Sequence, residues 1–283
     1  MRILLTGARG QLGHDLVEAL GAEEVVAVGH SELDIADRVA VSQAVRAARP
    51  DWIVNAAAFN DVDLAESARA AAFAVNADGP AYLAEAAKAV GARLVHVSTD
   101  YVFNGRKGEP YTEDDTPEPL SVYGASKRAG EVRVLDSGGR ASVLRTAWLY
   151  GSQGKNFVKA ILAAASSGKP LRVVADQVGS PTWTRDLAFA IRDLLATDMA
   201  GLFHVVNSGA CSRYEFARAI LQGGGEVEAV KSSEMPRPAP RPANSSLRST
   251  RWAEGGMRAM RPWQEALAEF LRDERVPAPA TRG

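Results

Sequence analysis

Short unbroken runs of apolar residues alternate along the first half of the chain with stretches whose apolar positions fall three and four apart. The runs at residues 3–5, 25–28, 52–55, 94–98 and 142–144 predict strands covered on both faces, as in a parallel sheet. The stretches at residues 11–20, 38–48, 70–90 and 123–135 predict the helices between them. Asp37 supplies a cap for the second helix, Pro50 stops it, and Gly91 stands where the third needs a C-cap. Right-handed crossovers through these units give an α/β fold, a Rossmann-like doubly wound parallel sheet.

Beyond Arg145 the pattern loosens. Helical stretches at residues 156–167, 184–196 and 212–221 mix with short strands at 171–174 and 202–206. The chain therefore divides into a dinucleotide-binding domain over residues 1–147 and a smaller, mainly substrate-binding portion over 148–283, with room for segments that return to the sheet. Residues 235–242 read MPRPAPRP, with proline at every second position, which excludes helix and central strand. That pattern fits an ordered surface loop better than a docking motif for a proline-recognising partner. Residues 277–283 predict a frayed tail.

Composition changes this picture only by exclusion. Lys and Arg total 33 against 34 Asp and Glu, so no net field draws in nucleic acid or an anionic membrane. The lone Cys211 excludes an internal disulfide and fits a reducing compartment. The first apolar run is too short for a signal peptide, and no stretch approaches the ~20 apolar residues of a membrane span. A cytoplasmic protein is expected.

Three clusters carry chemistry. The first, GARGQLG over residues 7–13, follows a strand and opens a helix. Gly7, Gly10 and Gly13 let backbone N–H groups approach a pyrophosphate, whose charge the helix amino terminus stabilises. Small residues at Ala57 and Ala58 leave room at the end of the third strand, though tight packing explains alanine equally well. The second cluster is YGASK, residues 123–127. Tyr123 and Lys127 share a helix face, and a tyrosine needs a nearby cation before it serves as an acid–base group near neutral pH. Lys127 can supply that cation and also hold a ribose hydroxyl. The third is Ser98, Thr99 and Asp100 at the end of the fourth strand, where a hydroxyl can bond a substrate carbonyl. The second strand ends at His30 and Ser31 with no acid at its tip, and acid there selects NAD. Ser31 can bond a phosphate oxygen and His30 can add charge, while Glu32 close by tempers the effect. NADPH is therefore preferred modestly, with NADH still accepted.

These clusters resemble those of the extended short-chain dehydrogenase/reductases, and within them the dTDP-4-dehydrorhamnose reductase family. The likeness runs through NAAA (55–58), VNADGP (75–80), STDYVF (98–103), LRTAWLYG (144–151), KNFV (155–158), DQVGSPT (176–182) and RPAN (241–244). It implies reduction of the C4 keto group of dTDP-4-dehydro-L-rhamnose to dTDP-L-rhamnose, with Tyr123 as proton donor, Lys127 its partner and Thr99 orienting the substrate. It also implies that Gly10, Gln11 and Leu12 meet the cofactor phosphates, that Asp34 and Ile35 flank the adenine, and that Ala57 and Ala58 lie near its ribose. Thr99, Asp100 and Trp148 would contact the dTDP-linked deoxysugar. Some members are described as magnesium-dependent dimers that use glutamates. Here Asp15 stands where one glutamate is expected, so neither Mg2+ nor a choice between monomer and homodimer is assigned. Related activities are weighed by residue. A 4,6-dehydratase needs a carboxylate where Tyr101 stands. A non-catalytic regulatory subunit, like that of methionine adenosyltransferase, or a purely structural domain, has little use for a matched Thr99, Tyr123 and Lys127. Another nucleotide-sugar 4-ketoreductase would share all three.

Overall fold

The computed structural model describes residues 1–166 and 170–274. Ser167, at the end of one predicted helix, and the predicted tail at 277–283 lie outside the described residues.

The amino-terminal half winds in the predicted order through β1 (Arg2–Thr6), α1 (Gln11–Ala19), β2 (Glu24–Val28), α2 (Arg38–Ala48) and β3 (Trp52–Asn55). However, β2 is the edge strand and is partly exposed rather than covered on both faces. Then come α3 (Val62–Ser67), α4 (Arg69–Phe73), a π turn (Ala74–Asp78), α5 (Gly79–Val90) and β4 (Arg93–Thr99). A 3-10 turn (Asp100–Val102), α6 (Val122–Leu135) and β5 (Ala141–Thr146) follow. Asp37 caps α2 by accepting from the N–H groups of Val39 and Ala40, and Gly91 closes α5 in the left-handed region. The single helix expected over 70–90 is interrupted by the π turn. At that turn α6 packs closely, Gly130 letting it approach the carbonyl oxygen of Asn76. Asn76 in turn holds the loop after β3, accepting from the Phe59 N–H at 2.8 Å and donating to its carbonyl oxygen at 3.1 Å.

The second half adds β6 (Leu149–Tyr150), α7 (Phe157–Ala165), β7 (Leu171–Val174), β8 (Val178–Gly179), β9 (Thr182–Trp183) and α8 (Thr184–Leu195). It continues with β10 (Gly201–His204), β11 (Cys211–Ser212), α9 (Arg213–Ile220), β12 (Val227–Val230), α10 (Arg251–Glu254) and α11 (Trp263–Asp273). Asn156 caps α7, and Ser212 with Glu215 forms a capping box on α9.

Six parallel strands stand in the order β10-β5-β4-β3-β1-β2. Leu4 lies beside Val26 on one side and Ile53 on the other. The order reverses at β1, which opens a crevice at the carboxyl ends of β1 and β3, where such sheets bind ligands. One apolar layer holds α1 and α8, with Leu12, Leu16, Leu187 and Ile191 buried; the other holds α2 and α5, with Val41, Val45 and Leu83. Thus α8 and β10 come back to the sheet, β10 pairing Leu202 with Val143 of β5. An apolar run covered on both faces reads alike wherever it pairs, so its partner strand was not visible in the pattern. The smaller portion has its own aromatic core of Tyr150, Trp183, Phe216, Trp263 and Phe270. No helix among the described residues is long and apolar enough to cross a membrane.

Candidate active site

At the dinucleotide crevice, Gly7 has φ +75°, and a Cβ there would fall 2.5 Å from the Ala57 nitrogen. Only glycine lets the first turn lie on the loop after β3. Gly10 is the N-cap of α1, offers no side-chain cap, and no acid occupies the first turn. The backbone N–H groups over Gln11, Leu12 and Gly13 thus form an uncapped, electropositive helix start, which fits a pyrophosphate. Below it the strand ends are tied together. Thr6 donates to Asn55 Oδ1 at 2.7 Å, the Ala57 N–H donates to the same oxygen at 3.0 Å, and the Asn55 amide meets His96 Nδ1 at 3.0 Å.

The β2 tip differs from the reading of its sequence. His30 and Ser31 are both exposed, but the tip does carry an acid. Glu32 turns back to accept from the Gly29 N–H at 2.6 Å. Its other oxygen takes a guanidinium hydrogen from Arg9 at 3.1 Å, so an arginine of the glycine loop is also present. The Gly29 hydrogen bond, with Arg9 adding to it, holds the Glu32 carboxyl below its ordinary proton affinity. Asp34 is exposed and accepts from the Ala36 N–H, whereas Ile35 is buried against Gly79 in the core.

The 3-10 turn and α6 bring the Thr99, Tyr123 and Lys127 cluster together. A Cβ on Gly124 would stand 2.2 Å from the Tyr101 carbonyl oxygen, so glycine is what lets α6 reach this turn. Ser121 caps α6 through the Gly124 N–H, and Glu66 of α3 accepts from the Val122 N–H at 2.9 Å. Further along, Glu131 is fully buried and fastens α6 to the sheet. It takes two bonds of 2.8 Å from Arg145 and one of 2.6 Å from Ser98.

Within the cluster the Thr99 hydroxyl donates to Asp100 at 3.0 Å, and its nearness to the Tyr123 phenol favours the phenolate, against the effect of burial. Burial, aided by the Asp100 carboxylate, raises the Tyr123 phenol well above its usual range, so it is fully protonated at neutral pH. Lys127 is almost fully buried and donates to the Val97 carbonyl oxygen at 2.6 Å. Burial lowers its amine to about 8. Asp100 points away from open space, holding Thr99 on one oxygen and Ser245 on the other, and burial pushes it up to about 6.

Past Tyr101, whose ring meets that of Tyr123 edge-on at 5.9 Å, opens a cavity of about 520 Å³. Trp148 lies on its wall with φ +45°, a strained conformation for a bulky residue. Its indole is held from both sides. The Arg213 guanidinium lies 3.5 Å from the ring centroid, and Gly179 is so close that a Cβ there would stand 2.2 Å from a ring atom. Lys155, Arg172, Arg237 and Arg241 also line the cavity. These cations, with Arg9, are candidate site residues that sequence reasoning missed. Lys155 and Arg241 lie inside quoted motifs, but nothing local marks the set as one cluster. Asp15 is buried with one carboxylate oxygen unpartnered, yet no group of three or more His, Cys, Asp or Glu able to hold a metal occurs among the described residues.

Sheet order, glycine loop and the Thr99–Tyr123–Lys127 cluster together define an oxidoreductase of the short-chain dehydrogenase/reductase class, with a Rossmann-like fold. The chain belongs to the family described as RmlD substrate binding domain, whose model matches residues 1–276. It is 44% identical over 282 residues to the dTDP-4-dehydrorhamnose reductase of Mycobacterium tuberculosis, covering 95% of this chain and 92% of that one. It is 42% identical over 277 residues to the spore coat polysaccharide biosynthesis protein SpsK of Bacillus subtilis, covering 96% and 97% of the two chains. Among solved structures it resembles a dTDP-4-dehydrorhamnose reductase from Bacillus anthracis in complex with NADP. That likeness has a TM-score of 0.94 at 39% identity, covering 96% of this chain and 99% of the other.

Proposed function

We propose that this protein reduces the C4 keto group of dTDP-4-dehydro-L-rhamnose to dTDP-L-rhamnose in the cytoplasm, using NADPH. The observation that carries the reading is a cation-lined cavity beginning at Tyr101, directly beside Tyr123. A doubly charged diphosphate fits those cations, and its sugar then reaches the Thr99–Tyr123 pair.

The uncapped start of α1 would hold the pyrophosphate of NADPH, whose reduced nicotinamide would supply the hydride. The protein supplies the proton and the alignment. Tyr123, kept protonated by burial, gives its proton to the oxygen developing at C4, because a sugar alkoxide is the stronger base. Thr99 turns its hydroxyl from Asp100 to the incoming keto oxygen and so orients it toward the phenol. Lys127 is the cation on the same helix face that stabilises the phenolate left behind. A regulatory role without turnover makes no use of this set, and nothing in the site favours it. The test mixes purified protein with dTDP-4-dehydro-L-rhamnose and NADPH and follows nicotinamide absorbance. Stoichiometric oxidation with formation of dTDP-L-rhamnose is expected. No oxidation above the substrate-free rate rules the assignment out.

A further inference from the structure

The proline-alternating segment, residues 235–242, crosses from the smaller portion to the sheet domain at the edge of the cavity. Its sequence gives it few ways to hold itself there. Prolines at 236, 238, 240 and 242 have no N–H to donate, and an extended chain of this kind makes no internal ladder. Its flanks are secured. Ser232 donates to Asp176 at 3.0 Å, and the Ser245 N–H to the Val178 carbonyl oxygen at 2.9 Å. Within residues 236–242 themselves, the hydrogen bonds to the rest of the fold run to one carboxylate. Asp63, in the first turn of α3, takes both terminal nitrogens of Arg241, the Ala239 N–H at 3.1 Å and an Arg237 nitrogen at 3.2 Å. These four bonds span 174 to 178 residues of sequence. The same short helix carries Glu66, which caps the start of α6 one residue before Tyr123.

A guanidinium has five donors in a fixed fork. Arg241 spends three of them on Asp63 and the Ala239 carbonyl oxygen. Arg241 lines the cavity together with Tyr101 and has two of its donors left over. An arginine so held meets an incoming diphosphate without first losing side-chain freedom on binding.

We propose that Asp63 is a positioning residue for the reduction: it latches the proline strap to α3 and aims Arg241 at the diphosphate of the sugar nucleotide. This rests on the proposed reading of the cavity. The latch acts on binding, and Asp63 itself touches neither substrate nor cofactor.

The experiment measures steady-state kinetics and the affinity for thymidine diphosphate in wild type, Asp63→Ala, Asp63→Asn, Arg241→Met and the Asp63→Ala/Arg241→Met pair, each checked for melting temperature. In Asp63→Ala, both KM for the sugar nucleotide and Kd for thymidine diphosphate should rise tenfold or more. Its kcat should fall less than threefold and KM for NADPH should not move. Asp63→Asn, which still accepts from the Ala239 N–H, should lie between. Because Asp63 works through Arg241, the pair should bind no worse than Arg241→Met alone. Unchanged affinity in both Asp63 variants overturns the latch, as do effects that multiply in the pair or a KM for NADPH that rises in step. If Asp63→Ala fails to fold, Asp63→Asn carries the same comparison. A wild type that neither binds thymidine diphosphate nor turns over sinks the proposed function and the latch with it. An active wild type with indifferent Asp63 variants sinks the latch alone.

Discussion

Replacing Gly124 with alanine tests whether the reach of α6 sets the rate. The added Cβ would stand 2.2 Å from the Tyr101 carbonyl oxygen and 3.0 Å from Pro119 Cβ. A comfortable carbon–oxygen contact is about 3.3 Å, so α6 and the 3-10 turn must separate by roughly 1 Å. Two opposing effects decide stability. Alanine is favoured over glycine in a helix by up to about 1 kcal/mol, whereas overpacking costs about 1–3 kcal/mol. The second wins, because the obstructing atom belongs to backbone and cannot swing aside. A net loss of about 1 kcal/mol lowers Tm by a few degrees, and the protein stays folded. The larger effect falls on chemistry. Tyr123 precedes the substituted residue and Thr99 adjoins the displaced turn, so their separation changes by most of that ångström. A misplacement of that size costs about 10²-fold in rate. The assay compares kcat, KM for NADPH and Tm in wild type, Gly124→Ala and the control Gly108→Ala, whose new Cβ would meet nothing within 4 Å. A folded Gly124→Ala variant with kcat within twofold of wild type would refute the view that this contact positions the proton donor.

Tyr123→Phe should lower kcat by roughly 10² to 10⁴ while NADPH affinity, measured by fluorescence titration, stays within a few-fold; near-normal turnover would assign the proton donor elsewhere. With the Lys127 amine at about 8, kcat/KM should fall as pH rises through that value, and the limb should move beyond reach in Lys127→Arg. The sign for stability is opposite: the folded state releases this proton before the unfolded state does. The destabilisation by buried Lys127 is therefore present below pH 8 and fades toward the ordinary 10.5, so the stability gap to Lys127→Met should narrow there. At the β2 tip, Arg9→Ala should cut kcat/KM for NADPH about tenfold, the worth of one charged phosphate contact, and leave NADH nearly alone. Glu32→Gln should push the ratio further toward NADPH, and an unmoved ratio in both would show that this pair does not read the ribose.

What was legible in the sequence is what a few neighbouring residues decide. Buried parallel strands are apolar on both faces, so β1, β3, β4 and β5 announce themselves. Asp37 and Gly91 sit at helix ends because capping is a contact across one turn. Where a tertiary contact overrules local preference, the pattern misleads. Residues 70–90 carry one helical periodicity, and the π turn falls where the Asn76 carbonyl oxygen lies against Gly130 of α6, a contact the periodicity does not contain. Helix α3, with its six residues, is too short to show a period at all.

The two halves of the candidate site were unequally legible for the same reason. The dinucleotide crevice is made by backbone, and backbone requirements leave glycines at fixed spacing within a few residues. The substrate side is made by charge, and charge can be drawn from any distance. Lys155, Arg172, Arg213, Arg237 and Arg241 come from four separate stretches; Arg172 pairs with Glu228 and Glu234, and Asp63, the partner of Arg237 and Arg241, lies far before them in the chain. A formal net charge of −1 argues correctly against a field over the whole surface, yet says nothing about its distribution. Five cations around one cavity set a local potential that ionic strength screens weakly when the groups are partly buried. Arg213 and Arg241 are of that kind, one stacked on Trp148 and the other latched by Asp63. Affinity for a doubly charged ligand in an almost neutral protein therefore depends on where the arginines are held rather than on how many there are.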